Sequence, residues 1–412
     1  MNLGVFSIII IFVAIAIGFW KNINTGLISL AFALILGQFV GGLEPKDIIN
    51  MWPTNLFFML VGVTLLFSIA RANGTLELLA KKCVRLSGGR KALIPVIVYF
   101  LALVLAAIGP GNISIAALLA PIVMAIARET KISPVFMGEI LVIGAIAGGI
   151  SPIAPTGIIG INLSQQIGLD TGINSWINQI VSSTIFAIVV YIVSGGLKLR
   201  GKRTEIGEIE QFNLKQKITL AGIAALVISV IGFKLNVGLA GFFISAILLL
   251  LKVADEKQAI AGIPWSTIML IGGTGVLISI AAELGGIEVL SNALAKLMTP
   301  RTASAILVLT AGVMSFFSSA SGVVMPTLIP TVPGLVENLG GAVSPEALVA
   351  AIIIGAHMVT PSPLSTMGAL TYAGATEDMD KQELFKGLLI WAIVGTVFTA
   401  VLALVGIVGR LY

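Results

Sequence analysis

The stretch AAIGPGNISIAAL, Ala106 to Leu118, decides how the rest of the chain is read. It sits at the centre of 36 residues, Ala92 to Ala127, that carry no charge, between Lys91 and Arg128. About 20 apolar residues span a bilayer as a helix, so this run is too long for one crossing. Gly-Pro-Gly-Asn at its middle does not continue a regular helix. Glycine takes dihedrals closed to other residues, and proline has no N–H to give. The run reads as a hairpin that enters the membrane, turns at Gly109–Gly111 and leaves on the side it came from.

The composition around it agrees. The chain is 57% hydrophobic and only 10% charged, with a mean hydropathy of +1.08. A soluble domain carries about a quarter of its residues as charges. Forty-six glycines suit close helix packing in lipid. The chain is read as an all-α polytopic membrane protein with the lipid bilayer as its first partner. The net charge of +5 is spread in a way that does not indicate nucleic acid. A single cysteine, Cys83, leaves no internal disulfide and no cysteine-based metal site. The first apolar run, Leu3 to Trp20, lacks a basic start and a small-residue cleavage site, and reads as a retained helix.

The longest polar stretch, Lys198 to Lys217, nearly halves the chain and reads as a linker. The halves resemble each other in order. GFWKNINTGLISL from Gly18 resembles GFKLNVGLAGFF from Gly232, and MLVGVTLLFSIARANGTLELL from Met59 resembles MLIGGTGVLISIAAELGGIEVL from Met269. GNISIAALLAPIV from Gly111 aligns with ASGVVMPTLIPTV from Ala320, and ISPIAPTG from Ile150 with VTPSPLST from Val359. The expected organisation is repeat 1 over 1–197, a linker over 198–217 and repeat 2 over 218–412. Each repeat has five crossings, an amphipathic segment (75–86 or 287–298) and a hairpin (92–127 or 302–336). In each, one crossing is broken (134–168 or 347–373).

Five crossings are an odd number, so the halves insert upside down relative to each other. The distribution of basic residues fits. With the linker in the cytoplasm, 19 of the 24 Lys and Arg fall inside and five outside. Both termini are then expected outside, in a bacterial-type inner or plasma membrane.

Inverted repeats with broken membrane segments are the architecture of secondary transporters. Unpaired backbone groups are costly in lipid and persist where something polar uses them. The two hairpin tips, and the breaks SPIAPTG (Ser151 to Gly157) and TPSPLST (Thr360 to Thr366), are expected to meet near the midplane. Their side chains are mostly hydroxyls, with no Lys or Arg. The expected substrate contacts are Asn112, Ser114, Thr156, Ser319, Ser321, Ser362, Ser365 and Thr366. Helix amino ends and neutral donors suit an anion, while freed carbonyls and hydroxyls suit Na⁺. The expected Na⁺ positions are Gly111, Asn112, Ser151, Ser318, Ser321 and Thr360. No other cofactor is implied. His357, the only histidine, lies three residues before the second break and is a candidate proton site or substrate donor. Glu139 is expected to pair with Arg128 or Lys131 near the membrane surface rather than to bind an ion.

These motifs resemble the divalent anion/sodium symporters of the ion transporter superfamily, and among them the MatC-like malonate and C4-dicarboxylate carriers. That family has Ser-Asn-Thr at each tip, with nine residues from Asn to a proline in the second arm. Asn112 and Pro121 keep the spacing, as do Ser321 and Pro330, with Ser in place of Asn. The flanking Ser and Thr are replaced in both tips, by Gly111 and Ile113 and by Ala320 and Gly322. The resemblance implies an elevator transporter importing a small organic dianion by Na⁺ symport. It implies a moving body of hairpins and broken helices, with substrate between the tips and one ion beside each tip. It also implies a homodimer joined through the first two helices of each half. Three other readings stand beside this. One is an H⁺-coupled organic-anion transporter using His357. One is a channel on the same repeat. The last is an intramembrane serine hydrolase pairing SASG (Ser319 to Gly322) with His357; the tip's place in the repeat speaks against that, and the chain is expected not to be an enzyme.

Overall fold

The computed structural model describes residues 2–85, 90–199, 210–376 and 378–409. All regular structure among them is helical. Six helices are long and apolar enough to cross a membrane, or seven if the bent pair Ala303–Phe317 and Ala320–Asn338 counts as one span. Shorter apolar helices fill the rest. The chain is an all-α polytopic membrane protein.

Local sequence sets the helix ends in the same way in both halves. Asn2 accepts the Gly4 N–H and starts helix 3–21, and Asn22 ends it in the left-handed region. Asn24 then caps helix 25–33, which runs on as a π-turn over 34–40. In the second half Asn213 and Gln216 form a reciprocal capping box at the start of helix 214–231. Lys234 takes the left-handed turn, and Asn236 caps helix 237–250. Each pair is followed by a short helix (45–50 or 256–261), a long one (54–72 or 265–283) and an amphipathic one (75–85 or 286–295).

Two details differ from the sequence reading. The linker 198–217 is helical from Leu214 onward, because the capping box starts a helix four residues before the linker was expected to end. Residues 200–209 of the linker, Leu86 at the end of the first amphipathic segment, and residues 410–412 lie outside the described residues. The short helices 45–50 and 256–261 were not expected at all. Pro45 and the Asp255 cap start them in segments with too few apolar residues to register as elements.

The halves exchange contacts. Helix 54–72 packs on helix 237–250, and helix 265–283 packs on helix 25–33. Glycines make both crossings. A Cβ at Gly62 would lie 2.0 Å from the Gly238 carbonyl oxygen, and one at Gly273 would lie 2.1 Å from that of Gly26. Small residues let helix backbones approach where lipid supplies no hydrophobic drive. Helix 3–21 packs likewise on helix 286–295, with Gly4 against Gly285. Asn73 ties the start of the first amphipathic segment to helix 214–231 through the Thr219 hydroxyl at 2.7 Å.

The remaining helices form a second cluster around helix 134–149. That helix packs on 93–107, 111–130, 172–193 and 381–404, and all but its first two residues are buried. Helices 303–317, 345–358 and 381–404 pack together in the second half. Outer faces carry exposed Phe243, Leu239 and Phe39, as expected of surfaces that meet acyl chains.

Candidate functional site at the hairpin tips and helix breaks

Both long uncharged runs break where the sequence placed their tips. Helix 93–107 ends at Ile108, and helix 111–130 begins two residues after Gly109. Gly109 has φ +138°, and a Cβ there would meet the Phe67 ring at 2.0 Å. Gly111 has φ +78°, and its Cβ would meet Pro155 at 2.9 Å. Only glycine fits either position. In the second half, helix 303–317 ends and the chain bends by 118° into Ala320–Asn338. That arm opens as a π-turn over 320–324. Such turns recur at functional sites because they release backbone groups from the regular ladder.

The breaks are each locked by a glycine. Helix 134–149 stops, and helix 155–166 starts at Pro155, where a missing N–H costs nothing. A Cβ at Gly157 would meet the Ser151 carbonyl oxygen at 1.9 Å. Helix 345–358 stops, and helix 366–373 starts after Ser365. There a Cβ at Gly368 would meet the Ser362 carbonyl oxygen at 2.0 Å.

Tip and break meet in the first half. Asn112 is 5% exposed, and its Oδ1 accepts from the Ile113 N–H at 3.0 Å and from the Thr156 hydroxyl at 3.3 Å. Gly149 leaves the space that the Asn112 side chain fills. The Asn112 amide then lines a cavity of about 30 Å³ together with residues from the second half. Ile113, Ser315, Ser318, Ser319, Ala320, Ser321, His357, Thr360, Ser365, Thr366 and Met367 complete the lining. A single water needs about 10–15 Å³ of such space, so the partly open cavity holds a small ion or about two waters.

Helix ends of both signs meet at this cavity. The amino ends of helix 111–130, of the arm after Ser319 and of helix 366–373 all reach it. Helix amino ends carry a partial positive charge and free N–H groups that favour an anion, while the carboxyl ends of helices 303–317 and 345–358, at Ser315 and Ser318 and at His357 and Thr360, favour a cation beside it. Neither a carboxylate nor a Lys or Arg lines the cavity.

The hydroxyls divide by where their protons go. Ser318 donates to the Met314 carbonyl at 2.7 Å, Thr360 to the His357 carbonyl at 2.7 Å, and Ser365 to the Thr360 carbonyl. A hydroxyl that has spent its proton on a carbonyl presents only lone pairs, which suits a cation. Ser319 instead accepts from the Gly322 N–H at 3.1 Å and keeps its proton. No hydrogen bond among the described residues engages the Ser321 or Thr366 hydroxyl or the Asn112 amide nitrogen, so these remain as donors. His357 is 1% exposed, and its Nδ1 donates to the Ile353 carbonyl at 2.7 Å. A neutral ring then offers Nε2 as an acceptor, and only a protonated ring can donate from Nε2.

Not every sequence candidate reaches the cavity. Ser114 lies one turn along helix 111–130, in a separate cleft with Thr64, Arg71 and Pro264. Ser151 and Ser362 are buried in their breaks, where their hydroxyls accept the N–H groups of Ile153 and Leu364. Thr156 contributes through Asn112, and Gly111 through the turn it permits. Ser315 was missed. It is 1% exposed, lines the cavity and has no hydrogen-bond partner for its hydroxyl among the described residues. Its spacing from Ser319, one helical turn in MSFFSS, was the available signal. Glu139 does not pair as expected. Arg128 instead bonds Asp378 at 2.8 Å, and the Glu139 carboxyl has no partner among the described residues.

Residues 1–149, just over a third of the chain, match the family model described as dicarboxylate carrier protein MatC N-terminus. The stated likeness to MatC-like carriers stands on that segment. No curated protein matches the chain.

Proposed function

We propose, starting from that match, that the chain is a secondary carrier moving a small dicarboxylate such as malonate or succinate across the membrane with a co-transported cation, Na⁺ in the first instance. The observation that carries this is the meeting of three helix amino ends and two helix carboxyl ends at one small polar cavity without Lys or Arg. A dianion there is held by N–H groups and by the free donors of Asn112, Ser319, Ser321 and Thr366. The lone pairs of Ser318, Thr360 and Ser365 supply oxygen ligands for the cation, whose charge offsets the anion's. Ser365 moves from the anion group to the cation group on this accounting.

The space inside this partly open cavity is smaller than a dicarboxylate, and in this reading the tips part from the breaks to seat one. In an elevator the hairpins and broken helices move as one body against the first two helices of each half, which supply the homodimer contact. His357 supports a second reading, in which a protonated ring donates from Nε2 to the substrate and the coupling ion is H⁺. No described serine hydroxyl bonds His357, which gives the hydrolase reading no support.

The test is uptake of labelled malonate and succinate into proteoliposomes, with an inward Na⁺ gradient against a choline control at two pH values. Saturable uptake raised by Na⁺, with counterflow of unlabelled substrate, is the expected result. Absence of uptake of either acid under every gradient overturns the dicarboxylate reading. Uptake that neither saturates nor shows counterflow points to a channel.

A further inference from the structure

Glu139 is the one charged residue type within helix 134–149, whose sequence is PVFMGEILVIGAIAGG. It is 0% exposed, and neither carboxyl oxygen has a hydrogen-bond partner among the described residues. The cavity at the hairpin tips does not include it.

The ionisable groups on every neighbouring element are otherwise occupied or turned outward. From helix 93–107, the Tyr99 hydroxyl bonds Thr184. From helix 111–130, Arg128 pairs with Asp378, and Glu129 is exposed. Lys131, in the turn that follows, is exposed as well. From helix 172–193, the Tyr191 hydroxyl donates to the Ala92 carbonyl. From helix 345–358, His357 is bonded to Ile353, and Glu346 accepts from Ser344. Tyr372 of helix 366–373 is half-buried, and Lys381, Glu383 and Lys386 of helix 381–404 are exposed. Helix 155–166 carries no ionisable residue. No hydrogen bond or ion pair among the described residues joins any of these groups to Glu139.

An ionised carboxylate with no donor and no counter-charge is not sustained in a dry interior; such a group neutralises instead. The amino end of its own helix does not rescue it. Glu139 is the sixth helical residue, and that influence fades within the first turn. A metal ion would need several further oxygens, and no cluster of His, Cys, Asp or Glu among the described residues supplies them. The ligand that fits is a proton.

We propose that Glu139 is a proton-binding site: it holds a proton in the conformation described and gives it up to water when helix 134–149 becomes accessible. Given the carrier reading, on which its transport role rests, this is a proton step separate from the substrate cavity. The exchange is Glu139–COOH to Glu139–COO⁻ plus H⁺, with no other reactant. The helix connects it to the cavity as a rod. Gly149, ten residues on and roughly 15 Å away along the axis, packs against Asn112. Tight contacts seal the site meanwhile, since a Cβ on neighbouring Gly138 would meet Thr371 at 2.7 Å and Met124 at 3.0 Å.

Two measurements test this on the full-length reconstituted protein. The first is the infrared carbonyl stretch of a protonated carboxyl at neutral pH, compared between wild type and Glu139→Gln. A band present in wild type and lost in the variant supports the site; no difference overturns it, whatever the substrate proves to be. The second is the pH profile of malonate or succinate uptake. One proton site can change uptake by up to about tenfold per pH unit. Glu139→Gln is expected to flatten that profile while keeping counterflow, and Glu139→Met, similar in volume without a buried amide, is expected to do the same. A profile in both variants that follows wild type overturns the role in transport. Failure of wild type to take up either acid sinks the carrier reading alone, because the infrared comparison still decides whether Glu139 holds a proton.

Discussion

At the first hairpin tip, Gly109 and Gly111 sit at positive φ against the Phe67 ring and Pro155, with Asn112 wedged on Gly149. At the second tip, every residue from Ser318 to Gly322 has negative φ or ordinary helical geometry, and hydrogen bonds hold the turn. Ser319 accepts from the Gly322 N–H, and the Gly322 carbonyl accepts from Thr274 at 2.6 Å. Pro326, four residues on, has no N–H for that carbonyl, so the threonine takes its place. Shape fixes one tip and polar contacts fix the other. A tip held by polar contacts can exchange them for those of a substrate or ion, whereas a tip held by shape moves only as a block.

Met59 aligns with Met269 at an offset of 210, so Thr274 corresponds to Thr64. Thr274 reaches the second tip, whereas Thr64 bonds the Leu60 and Val61 carbonyls of its own helix.

The sharpest way to break the comparison is alanine at the two tip glycines. Gly109→Ala places a Cβ at a glycine-only φ and inside the Phe67 ring, and is expected to cost roughly 2–5 kcal/mol. Gly322→Ala meets the Leu270 side chain at 2.6 Å and the Ser319 hydroxyl at 3.1 Å, at an ordinary φ, and is expected to cost less, about 1–3 kcal/mol. Unfolding in detergent, followed by helix content against denaturant, measures both. Equal losses would mean that the first tip is no more shape-bound than the second. Thr274→Val comes next. It strips the Gly322 carbonyl of its side-chain donor and is expected to cost about 1–3 kcal/mol in the same assay. Thr64→Val, at the counterpart that bonds only within its own helix, is expected to be nearly silent.

Much of this was legible in the sequence, for reasons that can be named. Gly109, Pro110 and the prolines of both breaks are helix-ending residues within apolar runs, and apolar runs can be placed without knowing their neighbours. Facing is harder to read. Leucine and valine serve equally against lipid and against protein, so beyond its one-turn spacing from Ser319 little marked Ser315, which faces the cavity, from Ser114, which does not. Glu139 shows the same limit. Proximity in sequence suggested Arg128, but the partner Arg128 finds, Asp378, is 250 residues away and arrives only through the fold. The division of hydroxyls into lone-pair and donor groups depends on which carbonyl lies within 3 Å, and spacing alone does not carry that.

Function sharpens the comparison further. Asn112→Ala removes a buried amide and the acceptor for Thr156, and is expected to lower uptake about tenfold, equivalent to about 1.4 kcal/mol, with expression unchanged. Ser321→Ala removes one donor among several and is expected to lower uptake a few-fold. Unchanged uptake in both would mean that the tips do not touch the substrate.

The smallest effect is expected at the far end of the first hairpin, where Arg128 and Asp378 form an ion pair with both side chains more than half exposed. Exposed pairs contribute little, because water and salt screen them and two long side chains lose freedom in meeting. If shape alone fixes the first hairpin, Arg128→Ala leaves unfolding and uptake at wild-type levels in both low and high salt. A clear loss at low salt that closes at high salt would show that charge anchors this hairpin from its base. The contrast between the tips would then reflect only their last turn, not the way each hairpin is held.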